Sequence, residues 1–119
     1  MVDIGLQVEG IPPVKQTPAD GIERARQAAA NEALAEAVRT QLPENRMILR
    51  TVDLALSVRY ERGRGRSDSA NIIGGIADQL QRCNIYWDDA QLRRIEYAEV
   101  PSSDGGDRYS VRLTGLSRD

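Results

Sequence analysis

The chain of 119 residues contains no histidine and a single cysteine, Cys83. These absences exclude Ser-His-Asp and Cys-His catalysis, and they leave no set of histidines or cysteines for a zinc site. Any metal ligand or general base must therefore come mainly from carboxylates, whose oxygens favour magnesium or manganese. A lone cysteine cannot form an internal disulfide, which is typical of an intracellular protein.

Long apolar runs are also missing from the sequence. No stretch approaches the roughly 18 apolar residues that a membrane-spanning helix needs. The segment before Gly10 carries Asp3 and Glu9, which is unlike a secretory leader. We therefore expect no membrane association and a cytoplasmic location.

The charge balance is slightly acidic, at a formal −2, although Lys15 is the only lysine among 16 basic residues. Four arginines fall within eight positions, at Arg59, Arg62, Arg64 and Arg66. A local patch can bind phosphate in an acidic chain, and Gly63 and Gly65 would let the backbone approach a duplex. We assign nucleic-acid binding to these arginines and Lys15; a solvated loop that offsets nearby acids is the alternative.

Hydrophobic periodicity and turn residues predict six elements in the order strand, helix, strand, helix, strand, strand. The first helix is expected to begin at Thr17 and Pro18 and to end before Pro43. The connection between the last two strands is long for a hairpin and is expected to be mobile. The predicted elements cover residues 3–9, 18–42, 48–60, 68–83, 92–100 and 108–114.

The expected fold is a single α/β domain over residues 1–119, with two helices packed on a mixed four-stranded sheet. In the first helix a shallow apolar stripe should face the sheet, formed by Ile22, Ala29, Ala33, Ala37 and Val38. In the second helix the apolar face should comprise Ile73, Ile76, Ala77 and Leu80.

Acidic and amide residues follow one another around the second helix. Asp68, Asn71 and Asp78 share one polar stripe, and the pair Asp88-Asp89 comes after a short connection that can fold back toward the helix. Carboxylates gathered in this way repel each other unless a cation neutralises them, and magnesium is the natural cation. Three simpler interpretations remain open: Asp68 as a helix cap, Asp88-Asp89 as a turn, and Asp78 as a surface partner of Arg82.

Two blocks of this sequence resemble a known family. Residues 68–80 are similar to the pattern Asp-x-Asp-Asn-Leu-x-Lys-x-x-x-Asp-x-Leu of the RusA Holliday-junction resolvases, and residues 88–92 resemble their Asp-Asp-x-Gln-Ile. The gap between the blocks also agrees. Gly10-Ile11-Pro12-Pro13 is similar to the family's Gly-x-Pro after its first strand.

The resemblance implies a homodimer that cleaves branched DNA with Mg²⁺ or Mn²⁺. Carried over by position, Asp68 and Asp89 are catalytic, Asp68, Asp88 and Asp89 bind the metal, and Asn71, Asp78 and Gln91 support the site. The family's second aspartate falls on Ala70 and its lysine on Gly74, so neither the ligand nor the cation is present there.

Two functions follow as hypotheses. The first is a RusA-like Holliday junction resolvase, an endonuclease of branched DNA in recombination and repair, which is impaired because Ala70 and Gly74 lack the expected side chains. The alternative is a catalytically inactive RusA-like module that binds DNA or another protein. The acidic charge balance favours a protein partner within this alternative.

Overall fold

The order of elements follows the sequence-based prediction in the computed structural model, which describes residues 2–42, 47–48 and 50–116. The α+β class and the two-helix, four-stranded composition are confirmed. The elements are β1 (Asp3–Glu9), α1 (Gly21–Gln41), β2 (Asp53–Arg62), α2 (Ser69–Arg82), a short 3₁₀ helix (Asp89–Gln91), β3 (Leu92–Pro101) and β4 (Arg108–Leu116).

The four strands form one mixed sheet in the order β1-β4-β2-β3. β4 is antiparallel to both β1 and β2, whereas β3 is parallel to β2. β3 and β4 are consecutive in the chain but lie on opposite sides of β2, so their connection crosses the end of β2 instead of forming a hairpin. This crossing brings residues 102–107 against the loop that follows β2.

The core lies between one face of the sheet and the two helices. Strand residues alternate strictly, so Leu54, Leu56, Val58 and Tyr60 of β2 are buried while their neighbours are more exposed. They pack with a set of fully buried helix residues, each worth about 1.5–3 kcal/mol on burial: Leu34, Ile72, Ile76 and Leu80. Within the described chain, neither helix has the length and apolar character needed to cross a bilayer.

Two predicted element starts and two predicted core residues are wrong: Ile22 and Ala29 are both exposed, and Ala30 is buried in place of Ala29. α1 begins at Gly21, because Asp20 rather than Thr17 caps it, with Asp20 Oδ1 accepting the Glu23 N–H at 2.8 Å. β2 begins at Asp53 rather than at Ile48. The Ile48 N–H donates to the Ile85 carbonyl at 2.8 Å, so Ile48 precedes the strand instead of starting it. Ile22 is 73% exposed, since it lies about 120° around the helix from buried Leu34.

The connection between β3 and β4, which the sequence suggests is mobile, is anchored by the Asp107 carboxylate. Its Oδ1 accepts the N–H groups of Gly63 and Gly65 at 3.0 Å, and its Oδ2 accepts that of Arg64 at 2.8 Å. The Tyr60 hydroxyl also donates to Asp107. One side chain thus fixes three successive amides of the β2–α2 loop.

Gly63 and Gly65 allow the loop to close on its own neighbours rather than on a duplex. A Cβ at Gly63 would overlap the carbonyl of Gly105, and a Cβ at Gly65 would overlap the Tyr60 hydroxyl. The absence of side chains at both positions is therefore needed for the loop to reach Asp107.

Replacing Asp107 by Asn should destabilise the fold by about 1–3 kcal/mol, because an amide cannot accept from all these donors. Burial favours the protonated acid, but the hydrogen bonds from Tyr60 and the three amides outweigh it and hold the pKa of Asp107 below 3.8. Its contribution is therefore complete above pH 3.8 and is lost as the pH falls through the lower folded pKa. Urea unfolding of both proteins across this range measures the effect.

Glu9→Gln is the matched control, because the Glu9 side chain is 84% exposed. We expect it to leave the urea midpoint nearly unchanged. An Asp107→Asn midpoint equal to that of the control would contradict the anchoring role.

Candidate functional site

The loop between β1 and α1 lies directly on α2. The Lys15 N–H donates to the Asn71 carbonyl at 2.9 Å, and the Asn71 amide nitrogen lies 3.3 Å from Gln16 Oε1. A Cβ at Gly75 would overlap the backbone of Pro13, so this close approach requires glycine. Asn71 therefore holds the loop, and no local sequence pattern indicates the role of Gly75.

The Lys15 side chain crosses α2 over Gly74. A Cβ built on Gly74 would lie 3.1 Å from both Cβ and Cδ of Lys15, which is tighter than an ordinary contact. The Lys15 ammonium reaches Asp78, with 3.6 Å between Nζ and Oδ1. The partner of Asp78 is therefore Lys15 from a distant loop, not Arg82 from the next turn of the helix.

Asp68 caps the N-terminus of α2, as the simpler interpretation proposed. Its Oδ1 accepts the Asn71 N–H at 2.8 Å, and its Oδ2 lies 3.5 Å from the Asn71 side-chain nitrogen. A carboxylate at this end of a helix is stabilised by the helix dipole. The cap still leaves the Asp68 side chain at the surface of the groove described below.

Asp88 and Gln91 stabilise the 3₁₀ helix before β3. Asp88 Oδ1 accepts the Ala90 N–H at 2.9 Å, while Gln91 Oε1 accepts the Trp87 N–H at 2.9 Å. Gln91 also donates from Nε2 to the Val52 carbonyl at 3.0 Å, and it is only 4% exposed. The structure gives both predicted site residues local structural roles.

Asp89 returns to the middle of α2, as the short connection suggests. The Tyr86 hydroxyl lies 2.6 Å from the Ala77 carbonyl oxygen and 3.2 Å from Asp89 Oδ1. Burial raises the pKa of Tyr86, and the charge of Asp89 raises it further, with smaller effects from Asp78 and Asp88. The phenol therefore stays protonated and serves as a hydrogen-bond donor beside these acids.

The predicted metal ligands Asp68, Asp88 and Asp89 do not gather into one donor set. The nine residue steps from Asp68 to Ala77 span about 13 Å along the helix, which separates Asp68 from the level of Asp89. Among the described residues, no group of three or more Asp, Glu, His or Cys side chains could hold a metal ion. The residues present therefore do not fit the Mg²⁺ or Mn²⁺ site that the resemblance implies.

The arginine cluster divides into three different environments. Arg62 is bound internally: it donates to both Glu99 oxygens at 2.8 and 2.7 Å and to the carbonyls of Gly65 and Ser67 at 2.7 and 2.8 Å. Arg62 and the Tyr97 hydroxyl lower the pKa of Glu99 to about 2. With four donor contacts inside the protein, Arg62 organises the loop and has little capacity left for phosphate.

Arg59 points away from the helices, because β2 residues of odd number lie on the open face of the sheet. Arg64 and Arg66 instead line a groove of about 1000 Å³ on the helix side, together with Asp68 and Asn71. The four clustered arginines therefore do not form one surface.

The groove lies between the first half of α1, the β1–α1 loop and the β2–α2 loop. Arg26 of α1 also lines it and faces the same space as Arg64 and Arg66. Arg26 is not predicted from the sequence, since an arginine on the polar side of an amphipathic helix carries no distinguishing signal. The acids of the groove are Asp20, Glu23, Asp68 and Asp107.

A scan against models of known protein families finds no match for this chain, and a search of curated proteins finds none either.

Proposed function

We propose that this chain is a RusA-like protein that binds the phosphate backbone of branched DNA in the groove between α1 and the β2–α2 loop, with cleavage weak or lost. Three arginines from two distant segments carry the proposal: Arg26, Arg64 and Arg66. A cytoplasmic location belongs to the same proposal, because the ligand is intracellular DNA.

The acids of the groove are already engaged, which leaves the arginines as its available charges. Asp20 and Asp68 cap the two helices, and Asp107 accepts three loop amides. Glu23 accepts the Ala19 N–H and the Gln16 side chain, both at 3.1 Å. These contacts stabilise the ionised carboxylates and hold their oxygens against the protein, so the carboxylates are less available than the arginines to a ligand.

The three groove arginines form no ion pair within the part of the chain that the structure describes. Arg26, Arg64 and Arg66 are all exposed at the surface. A guanidinium binds phosphate through parallel N–H donors, and each such contact releases counterions from the nucleic acid. A chain of net charge −2 can therefore present a local surface that attracts a phosphate backbone.

Weak or absent cleavage fits the residues that the resemblance finds replaced. Residue 70 is alanine and residue 74 is glycine, so α2 presents neither a second carboxylate nor a cation of its own. Asp68 and Asp89 also lie at different levels of the helix, as described above. These features favour recognition of DNA over its hydrolysis.

Residual endonuclease activity is the second candidate, and one observation favours it. Lys15 places its ammonium on the α2 surface beside Asp78, over the position where the resemblance expects a lysine. Asp89 lies in the segment between α2 and β3 and contacts Tyr86, which contacts the same helix. Lys15 and Asp78 therefore lie on α2 next to Ala77, whose carbonyl contacts the same Tyr86 hydroxyl as Asp89 does.

Alanine at Arg26, Arg64 or Arg66 should each weaken binding to a four-way junction and lower the salt dependence of log Kd by about one per lost phosphate contact. Fluorescence anisotropy at about 50–200 mM salt measures both quantities. Arg24→Ala is the matched control, because Arg24 is an exposed α1 arginine that does not line the groove.

Equal losses from Arg24→Ala and the three groove variants would indicate a diffuse charge effect and would contradict the groove. No binding to junction, duplex or single strands at low salt would end the nucleic-acid proposal and leave a protein partner as the function.

Ala70→Asp should raise magnesium-dependent nicking of the junction by roughly 10²-fold, the scale of one electrostatic group. Residue 70 lies on the same side of α2 as Ala77 but about 10 Å before it, so a carboxylate there would add a ligand between the levels of Asp68 and Asp89. Gly74→Lys should not help, because its Cβ would press on Lys15.

Adding Lys15→Met to Ala70→Asp should remove most of the gained activity while keeping apolar packing over Gly74. Product formation on a labelled junction, with binding measured in parallel, checks both variants. If Ala70→Asp binds the junction normally but never cuts it with magnesium or manganese, the nuclease candidate is wrong and the binding proposal stands.

A further inference from the structure

Trp87 is an exposed tryptophan in the segment between α2 and the 3₁₀ helix. It is the only tryptophan of the chain, and it is 46% exposed, although a tryptophan with a structural role usually buries most of its large surface. The Arg50 guanidinium lies over its ring, 4.6 Å from the centroid. Packing in the core therefore does not account for this side chain.

The backbone of Trp87 is held on both sides. Its N–H donates to Gln91 Oε1 at 2.9 Å, and its carbonyl accepts from Gln81 Nε2 at 2.9 Å. Gln91 is itself buried. With Arg50 over one ring face, the indole has a defined orientation before a ligand arrives, which lowers the entropy lost when a flat ligand stacks on it.

One partly exposed stripe of α2 connects Trp87 with the groove. Asn71 lines the groove, and Gln81 bonds to Trp87, while Gly74 and Asp78 lie between them at helical spacing. From Asn71 to Gln81 the helix rises about 15 Å, the length of about four stacked nucleotides at about 3.4 Å each. A strand held in the groove therefore reaches Trp87 within a few nucleotides.

The charges along this stripe permit an anionic strand to follow it. The exposed Lys15 lies across the middle of the stripe, with its Nζ 3.6 Å from Asp78 Oδ1. The exposed Arg50 lies at the far end, over the indole. Asp88, next to Trp87, accepts the Ala90 N–H at 2.9 Å. Cations thus lie where a backbone would pass, and these two acids are engaged with the protein.

A nucleobase fits this site better than an apolar protein surface does. The core of a protein interface is depleted of charged residues, whereas Trp87 lies under Arg50 and is followed by the exposed Asp88 and Asp89. A base stacks on the face of an aromatic ring, while basic side chains hold the backbone. Inside a duplex each base is already stacked on its neighbours, so only an unpaired base offers a free face.

We infer that Trp87 stacks on an unpaired base at the branch point of the DNA whose backbone occupies the groove. The inference rests on the proposed function and names the feature of branched DNA that is recognised. Stacking of this kind distinguishes a branch from a continuous duplex, in which no base is free.

Trp87 reports its own contacts, because a base stacked on an indole quenches its fluorescence. The full chain is titrated with an oligothymidine, with a four-way junction that has unpaired thymines at its centre, and with a fully paired duplex of equal length. Excitation at wavelengths that tyrosine hardly absorbs isolates Trp87, and anisotropy of labelled DNA follows binding in parallel. The first two DNAs should quench the emission at saturation, whereas the duplex should leave it unchanged.

Trp87→Ala should raise the Kd for the oligothymidine roughly fivefold or more, the scale of one lost base–aromatic stack, and should leave the Kd for the duplex unchanged. Trp87→Phe should keep most of the affinity, because it keeps an aromatic face. Ile95→Ala is the matched control: Ile95 is 48% exposed but lies on β3, away from the stripe. Thermal unfolding of each variant shows that it remains folded.

A junction that binds with unchanged Trp87 emission, and with the same Kd for Trp87→Ala as for the wild type, overturns the inference and leaves the groove proposal intact. Equal losses on oligothymidine and duplex, or a loss that Trp87→Phe fails to restore, also overturn it. If none of the three DNAs binds, the proposed function is wrong and this inference falls with it.

Discussion

The Asp107 carboxylate is the interaction on which the surface of this protein depends. It accepts hydrogen bonds from three amides of the β2–α2 loop and from the Tyr60 hydroxyl. Asp107 is the residue immediately before β4. Because β3 and β4 flank β2, their connection must pass the end of β2, and this topology delivers Asp107 to the loop. Together with the bonds from Arg62 to the Gly65 and Ser67 carbonyls, this anchor fixes the position of Arg64 and Arg66 relative to Arg26.

Hydrogen bonding within the protein distinguishes the charged groups of the groove, whose lining has three arginines and four carboxylates. The groove carboxylates each accept N–H groups, whereas Arg26, Arg64 and Arg66 line the groove, are exposed and form no ion pair among the described residues. Net charge therefore says little about this surface, because the charges that matter are those left without internal partners. The same reasoning excludes Arg62 from the phosphate-binding residues, because its N–H donors are used inside the protein.

Much of the fold could be predicted from the sequence, because the relevant signals are local. Strict alternation identified the buried face of β2, and Asp68 was correctly read as a candidate cap for α2. The site was harder to predict from the sequence. The contact of Lys15 with Gly74 and Asp78 joins residues about sixty positions apart, and the bonds of Asp107 cross more than forty. Periodicity within one segment carries no information about such contacts.

Nuclear magnetic resonance of the labelled protein, titrated with a four-way junction, would compare the two faces of the sheet directly. We expect the largest shift changes in the backbone amides of Arg26, Arg64, Arg66 and Asn71, while those around Arg59 and Arg112 on the open face change little. Changes concentrated on the open face, with the groove amides unmoved, would contradict it.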